Sequence, residues 1–131
     1  MKEAAELARA HGLQGFQVNQ VMWSMAKANP ENIGDRTLVL LDEETRRWQA
    51  EQGMALMAYT SLAHGYPVRR VRGEAVSPEL AAQYDHPVNE AAIRLIREAG
   101  ADPLALCLRF IAERPQPALP VAAFSSEKQL R

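Results

Sequence analysis

Residues 54–63 read MALMAYTSLA. Through Met57 the run is apolar at odd and even positions alike, so an extended chain here presents no face suited to water. Such a strand belongs in a parallel sheet covered on both sides, and it is expected to end at Tyr59 or Thr60. Outward on the N-terminal side, TLVLLDEETRRWQAEQ (37–52) spaces Leu38, Leu41, Thr45 and Trp48 by three and four. With Asp35 as N-cap and Gly53 as stop, this predicts an amphipathic helix. Before it, AKANPENIGD is rich in turn formers and reads as a surface loop. FQVNQVMWSM predicts a strand near residues 16–21, with Phe16, Val18 and Gln20 on one face and Gln17 and Asn19 on the other. KEAAELARAHG is made of helix formers and stops at Gly12.

On the C-terminal side, Ser61 to about Leu80 holds Gly65, Pro67, Gly73, Pro78 and the basic group Arg69, Arg70 and Arg72. It reads as a long irregular loop with a solvated basic surface. Ser77-Pro78 and Asp102-Pro103 each place a capping side chain before a proline at the first helical position. Between them NEAAIRLIREAG aligns Ala92, Ile93 and Ile96 and stops at Gly100. PALPVAAF reads as a further buried strand, and Ser126-Glu127 as a helix opening. The alternation of helices and strands sets the class as α/β with a parallel sheet. There is no internal repeat or low-complexity stretch.

The 131 residues are 47% hydrophobic and 24% charged, which suits one compact domain and excludes a disordered tail, a collagen-like fibre or a disulfide scaffold. Fifteen basic residues against sixteen acidic ones give a net charge of -1, so nucleic acid is not an expected partner. No stretch reaches the roughly 18 unbroken apolar residues of a spanning helix, so no membrane partner is expected either. The start, Met1-Lys2-Glu3, lacks a secretory signal, and Cys107 is a lone thiol on an apolar stripe with Leu104 and Ile111. A cytoplasmic protein with a core thiol is the expectation. The first strand lacks the glycine-rich phosphate loop that a flavodoxin-like nucleotide binder requires.

Three stretches go further: VNQVMWS, MAYTSLAHGY and PVAAFSSEKQL. In this order they resemble the sixth, seventh and eighth strands of the aldo/keto reductases, and GADPLALCLRFIAERP resembles the helix before the last of these. The likeness runs from about Glu6 to Arg131. It implies a partial (β/α)8 TIM barrel: residues 1–131 as a single partial domain with about three parallel strands and crossover helices, where a complete barrel needs roughly 250 residues and eight strands.

The resemblance implies a nicotinamide cofactor, NADP or NAD. Gln20 matches the amide that reads the nicotinamide carboxamide, a job needing both a donor and an acceptor. Tyr59 matches the ring lying against the nicotinamide. Thr60 keeps a hydroxyl for a phosphate oxygen, Ser61 replaces a common proline, and Leu62 completes the turn. Ser125 and Ser126 match a phosphate site at a helix N-terminus, and Gln129 a position held by Arg or Gln. Ala123 and Phe124 stand where a lysine is frequent, which leaves NADP and NAD both open. Each residue also has a plain reading: a polar strand end for Gln20, a core ring for Tyr59, a helix cap for the serines.

The family's catalytic Asp, Tyr, Lys and His lie on earlier strands, so no catalytic residue is expected here, and no metal. His11, His64 and His86 read as solvated surface side chains. The expected function is an NAD(P)-dependent oxidoreductase of this type, this chain supplying cofactor-binding elements and acting on a carbonyl substrate only with the missing half supplied. The alternative is a non-enzymatic truncated fragment or interaction module, suggested by an ending at Arg131 inside an expected helix. In both cases the open sheet edges favour self-association.

Overall fold

The computed structural model describes residues 1–124, 126 and 127. Helix α1 spans Lys2–Ala10 and is followed by strand β1, Val18–Met22. Helix α2, Glu43–Glu51, leads into β2, Ala55–Tyr59. Four helices follow, α3 Tyr66–Arg72, α4 Pro78–Tyr84, α5 Pro87–Ala99 and α6 Pro103–Ala112, before β3, Ala118–Pro120. The strands form one parallel sheet in the order β1-β2-β3, as the α/β class requires. Among the described residues no helix is long and apolar enough to cross a membrane.

Register gives the sheet two faces. Val18, Gln20 and Met22 of β1 stand opposite Ala55, Met57 and Tyr59 of β2, and Met57 stands opposite Leu119 of β3. Side chains alternate along a strand, so these residues share one face, while Val21, Leu56 and Ala58 share the other. The second face is closed: Val21 is 2% exposed and Leu56 and Ala58 are fully buried, as are Cys107 and Ile111 of α6. Burying a side chain such as Leu56 contributes roughly 1.5–3 kcal/mol. The first face is half covered at Met57 and Tyr59 and open at Leu119, which is 59% exposed. The two-sided burial expected of β2 is therefore complete on one side only. PALPVAAF yields a three-residue edge strand rather than a buried one, because nothing in this arc covers its inner face.

The caps at the two proline starts form as expected. Ser77 Oγ accepts the Leu80 N–H at 3.3 Å, and Asp102 Oδ1 accepts the Leu104 N–H at 3.1 Å. Gly100 ends α5 in the left-handed conformation, φ 60°. His86 is half-buried rather than solvated: its Nδ1 accepts the Val88 N–H at 3.2 Å and caps α5.

Two segments depart from the sequence reading. The helix expected from Thr37 begins at Glu43, capped by Asp42, whose Oδ1 accepts the Thr45 N–H at 2.7 Å. Asp35 instead closes a turn on the Thr37 N–H and Oγ1, at 2.9 and 2.6 Å. The chain then runs extended beside β1, with the Met22 N–H donating to Val39 O and the Leu41 N–H to Met22 O. Pairing with the exposed sheet edge outweighs a helical stripe that, before Glu43, rested on Leu38 and Leu41 alone. The stretch from Ser61 to Leu80 is likewise no irregular loop. It holds a 3-10 turn at Ala63–Gly65 and then α3, with Pro67 in its first turn and Gly73 as its left-handed C-cap.

Above the C-terminal ends of β1 and β2 lies a buried cluster of Met22, Ala26, Ile33, Ala63, Tyr66, Tyr84 and Ile93, with Tyr59 packed against it. Asn89, 2% exposed, ties the cluster together. Its side chain accepts the Lys27 N–H at 2.8 Å and donates to Lys27 O and Tyr84 O at 2.8 and 2.6 Å.

Candidate functional site

Ligands of parallel α/β sheets bind at the C-terminal ends of the strands, and the sequence-predicted residues of β1 and β2 fall there. Gln20 is exposed on the open face, opposite Met57. Its carboxamide has no hydrogen-bond partner among the described residues. Tyr59 lies one row higher on the same face, opposite Met22, and is half-buried. Strand spacing of ~4.8 Å and two residues of rise place the Cα atoms of Gln20 and Tyr59 about 8 Å apart. Tyr59 packs against the buried cluster and stays partly accessible.

The turn that follows is the most unusual backbone among the described residues. Thr60, Ala63 and His64 have φ of 57°, 47° and 52°, and among the described residues no other non-glycine position has a positive φ. Gly65 adds φ 81°. For a β-branched residue such as Thr60 this is a true outlier, and each such position costs on the order of 1–3 kcal/mol. The turn is braced by the Ala63 N–H donating to Thr60 O and the Gly65 N–H to Leu62 O, both at 2.8 Å. Thr60 and Leu62 are half-buried. Strain of this kind, held by its surroundings, concentrates at ligand-binding sites.

Ser61, 1% exposed, lies inside this turn, and its Oγ donates to Val121 O at 2.7 Å. The proline missing from this position is thus replaced by a cross-strand hydrogen bond. Further along, Ser126 is exposed in a bend ahead of Glu127. Ser125 and Gln129 lie outside the described residues, as does the continuation of the expected helix.

The basic group lies on a helix rather than a loop, and one of its three members is anchored. Arg70, on α3, pairs with Asp85 at 3.3 Å and with Glu90 at 2.5 Å, and its guanidinium lies 5.7 Å from the centre of the Tyr66 ring. The Tyr66 hydroxyl donates to Asp85 at 2.7 Å, and burial together with Asp85 raises its pKa. Arg69 and Arg72 remain exposed. Burial pushes Tyr84 up to about 12. Burial, then the charge of Asp102, pushes the Cys107 thiol up to about 11, which fits an inert core cysteine.

Sequence reasoning missed the strain at Ala63 and His64, the Ser61 tie and the anchoring of Arg70. No local signal marks a positive φ at Thr60 or Ala63, and the Ser61 bond spans sixty residues. Residues 2–131 match the aldo/keto reductase family. Comparison with curated proteins finds no match.

Proposed function

This chain belongs to the aldo/keto reductase family, and from that premise we propose that it supplies the dinucleotide-binding wall of an NAD(P)-dependent oxidoreductase that reduces a carbonyl. The observation carrying this reading is the strained turn after β2. All positive-φ non-glycine residues among those described fall within it, at the strand end beside Gln20 and Tyr59. When bound, the nicotinamide group supplies the hydride. This chain's part is to bind and orient it. The unpaired Gln20 amide offers a donor and an acceptor to a carboxamide, and the accessible side of the Tyr59 ring gives the nicotinamide a flat surface. Thr60 Oγ1 and Leu62 border the turn on the phosphate side, with Ser125, Ser126 and Gln129 assigned to the adenosine-side phosphate of NADP, or to NAD.

The proton donor comes from outside residues 1–131, a single partial domain in this reading. Tyr66 commits its hydroxyl to Asp85, and Tyr84 is buried with a pKa near 12, so neither suits proton transfer at neutral pH. Turnover therefore requires the remaining strands. The test is a fluorescence titration with NADPH, with and without an added N-terminal half. Binding that Tyr59→Ala weakens about tenfold supports the reading. An identical titration for the variant removes the assignment of Tyr59, and rapid aldehyde reduction by the chain alone refutes the division of labour.

A second reading, a non-enzymatic interaction module, is favoured by the open inner face: Val18, Leu119 and Val121 are 46, 59 and 44% exposed. Self-association through this face and the outer edge of β1 is the expected behaviour of such an arc. A sharply melting monomer in sedimentation and thermal experiments counts against it.

A further inference from the structure

We propose that Ser61 is a positioning residue that locks the turn after β2 to the end of β3, fixing the separation of the two segments assigned above to the cofactor's phosphates. The inference rests on that assignment and adds to it how the two segments are held together.

The β2–β3 ladder ends with the Val121 N–H donating to Ala58 O at 2.8 Å. Past that bond the two chains diverge, β2 into the strained turn and β3 toward Phe124 and Ser126. The Ser61 hydroxyl adds one more link: it donates to the carbonyl of the same Val121 at 2.7 Å. Val121 is thereby gripped at both its main-chain groups, one from each side of Tyr59. Ser61 is 1% exposed, so its own hydroxyl has no water to turn to in place of this bond. The left-handed Thr60 directly precedes Ser61 and sets the course of the chain there. The tension in the turn and the grip on β3 are therefore one device: Thr60 bends the chain and Ser61 fastens the bend to the neighbouring strand. A proline ring at this position stiffens the turn alone, because it has no hydroxyl to donate. With serine the rigidity is shared between two strands.

The experiment is amide hydrogen exchange on the full chain, comparing the wild type with Ser61→Ala, combined with NADPH and nicotinamide mononucleotide titrations. Loss of the bond is expected to speed exchange about tenfold in residues 60–65 and 121–124 and to leave α5 unchanged. NADPH, which must span both segments, should bind about tenfold more weakly, while the mononucleotide, whose single phosphate reaches only the turn after β2, should weaken less. If Ser61→Ala opens the whole domain, the pair Ser61→Thr and Ser61→Val decides by the same readouts, since they differ only in keeping or losing the hydroxyl. Equal exchange with and without the hydroxyl overturns the lock, whether or not NADPH binds. Faster exchange with unchanged NADPH affinity overturns the positioning role and leaves Ser61 structural. If the wild type binds no dinucleotide, the cofactor assignment fails and takes the positioning role with it, while the exchange data still establish or dismiss the lock.

Discussion

Replacing Thr60 by glycine should make the protein more stable and a poorer dinucleotide binder at the same time. Thr60 has φ 57°, where a side chain with a Cβ meets its own carbonyl. The left-handed conformation costs such a residue roughly 1–2 kcal/mol. Glycine removes that cost, but the added freedom of the unfolded chain takes back about 0.5–1 kcal/mol. Thr60 Oγ1 has no hydrogen-bond partner among the described residues, so no folded-state bond is lost. The net gain is about 0.5–1 kcal/mol, or a rise in Tm of roughly 2–4 °C for a domain of this size. Thr60→Ala separates the two effects. It keeps a Cβ in the strained position and removes the hydroxyl, so its Tm should stay close to the wild type while NADPH affinity falls several-fold. Thermal and urea unfolding give the stabilities, and fluorescence titration gives the affinities. A lower Tm for Thr60→Gly would falsify the claim that the turn stores strain. Unchanged affinity in both variants would remove Thr60 from the phosphate side of the site.

Asn89→Ala deletes a side chain that serves Lys27 and Tyr84 through three hydrogen bonds at a 2% exposed position. It should cost about 2–3 kcal/mol in urea unfolding, since buried main-chain groups lose their partners. Cys107, with its thiol pushed up to about 11, should resist a thiol reagent at pH 8 in the folded protein and react promptly in denaturant. Fast labelling under native conditions contradicts its burial. Glu43 accepts hydrogen bonds from Arg46 and Arg47, which hold its carboxyl down to about 2 from the usual 4.5. The depressed value means its contribution is present above 4.5 and is lost as the pH falls toward 2. An NMR titration should place the Glu43 midpoint near 2, and Arg46→Ala combined with Arg47→Ala should return it toward 4.5.

Signals confined to a few neighbouring residues were legible in the sequence. Asp102-Pro103, Ser77-Pro78 and Gly100 mark helix ends because the groups they satisfy lie within one turn of them. The apolar run TLVLL satisfies both a helical stripe and an extended strand. What decides is the free edge of β1 at Met22, a partner no local pattern reveals. Helix α3 was hidden for the opposite reason: Gly65, Pro67 and Gly73 look like breakers, yet they stand at the two ends, where a helix accepts them. In the site, Gln20 and Tyr59 were singled out by the family resemblance alone, and the parallel register sets them on one face of the sheet. Thr60 was visible as a hydroxyl and invisible as a strained backbone, and Ser61 was visible only as a replaced proline because its partner Val121 lies sixty residues away.

The strained turn persists because what flanks it is buried. Ala63 and Tyr66 are fully buried and Ser61 is 1% exposed, so relaxing Thr60 or His64 would pull one of these from its contacts. Burial of a large aromatic such as Tyr66 contributes roughly 1.5–3 kcal/mol, and its hydroxyl is also bonded to Asp85. That matches or exceeds the strain at any one position of the turn. The residues responsible, Met22, Ala63, Tyr66, Tyr84 and Ile93, all belong to this chain. The edges follow the same division. At the upper end of β1, Met22 is paired with the segment at Leu40, and on the outer side of β3, Pro120 offers no N–H. Lower on β1, alternation in the parallel ladder turns the main-chain groups of Val18 and Gln20 outward, beside the exposed Leu119 face. The end proposed to hold the dinucleotide is thus organised from within these residues, whereas the lower edge of β1 is where a further strand would pair.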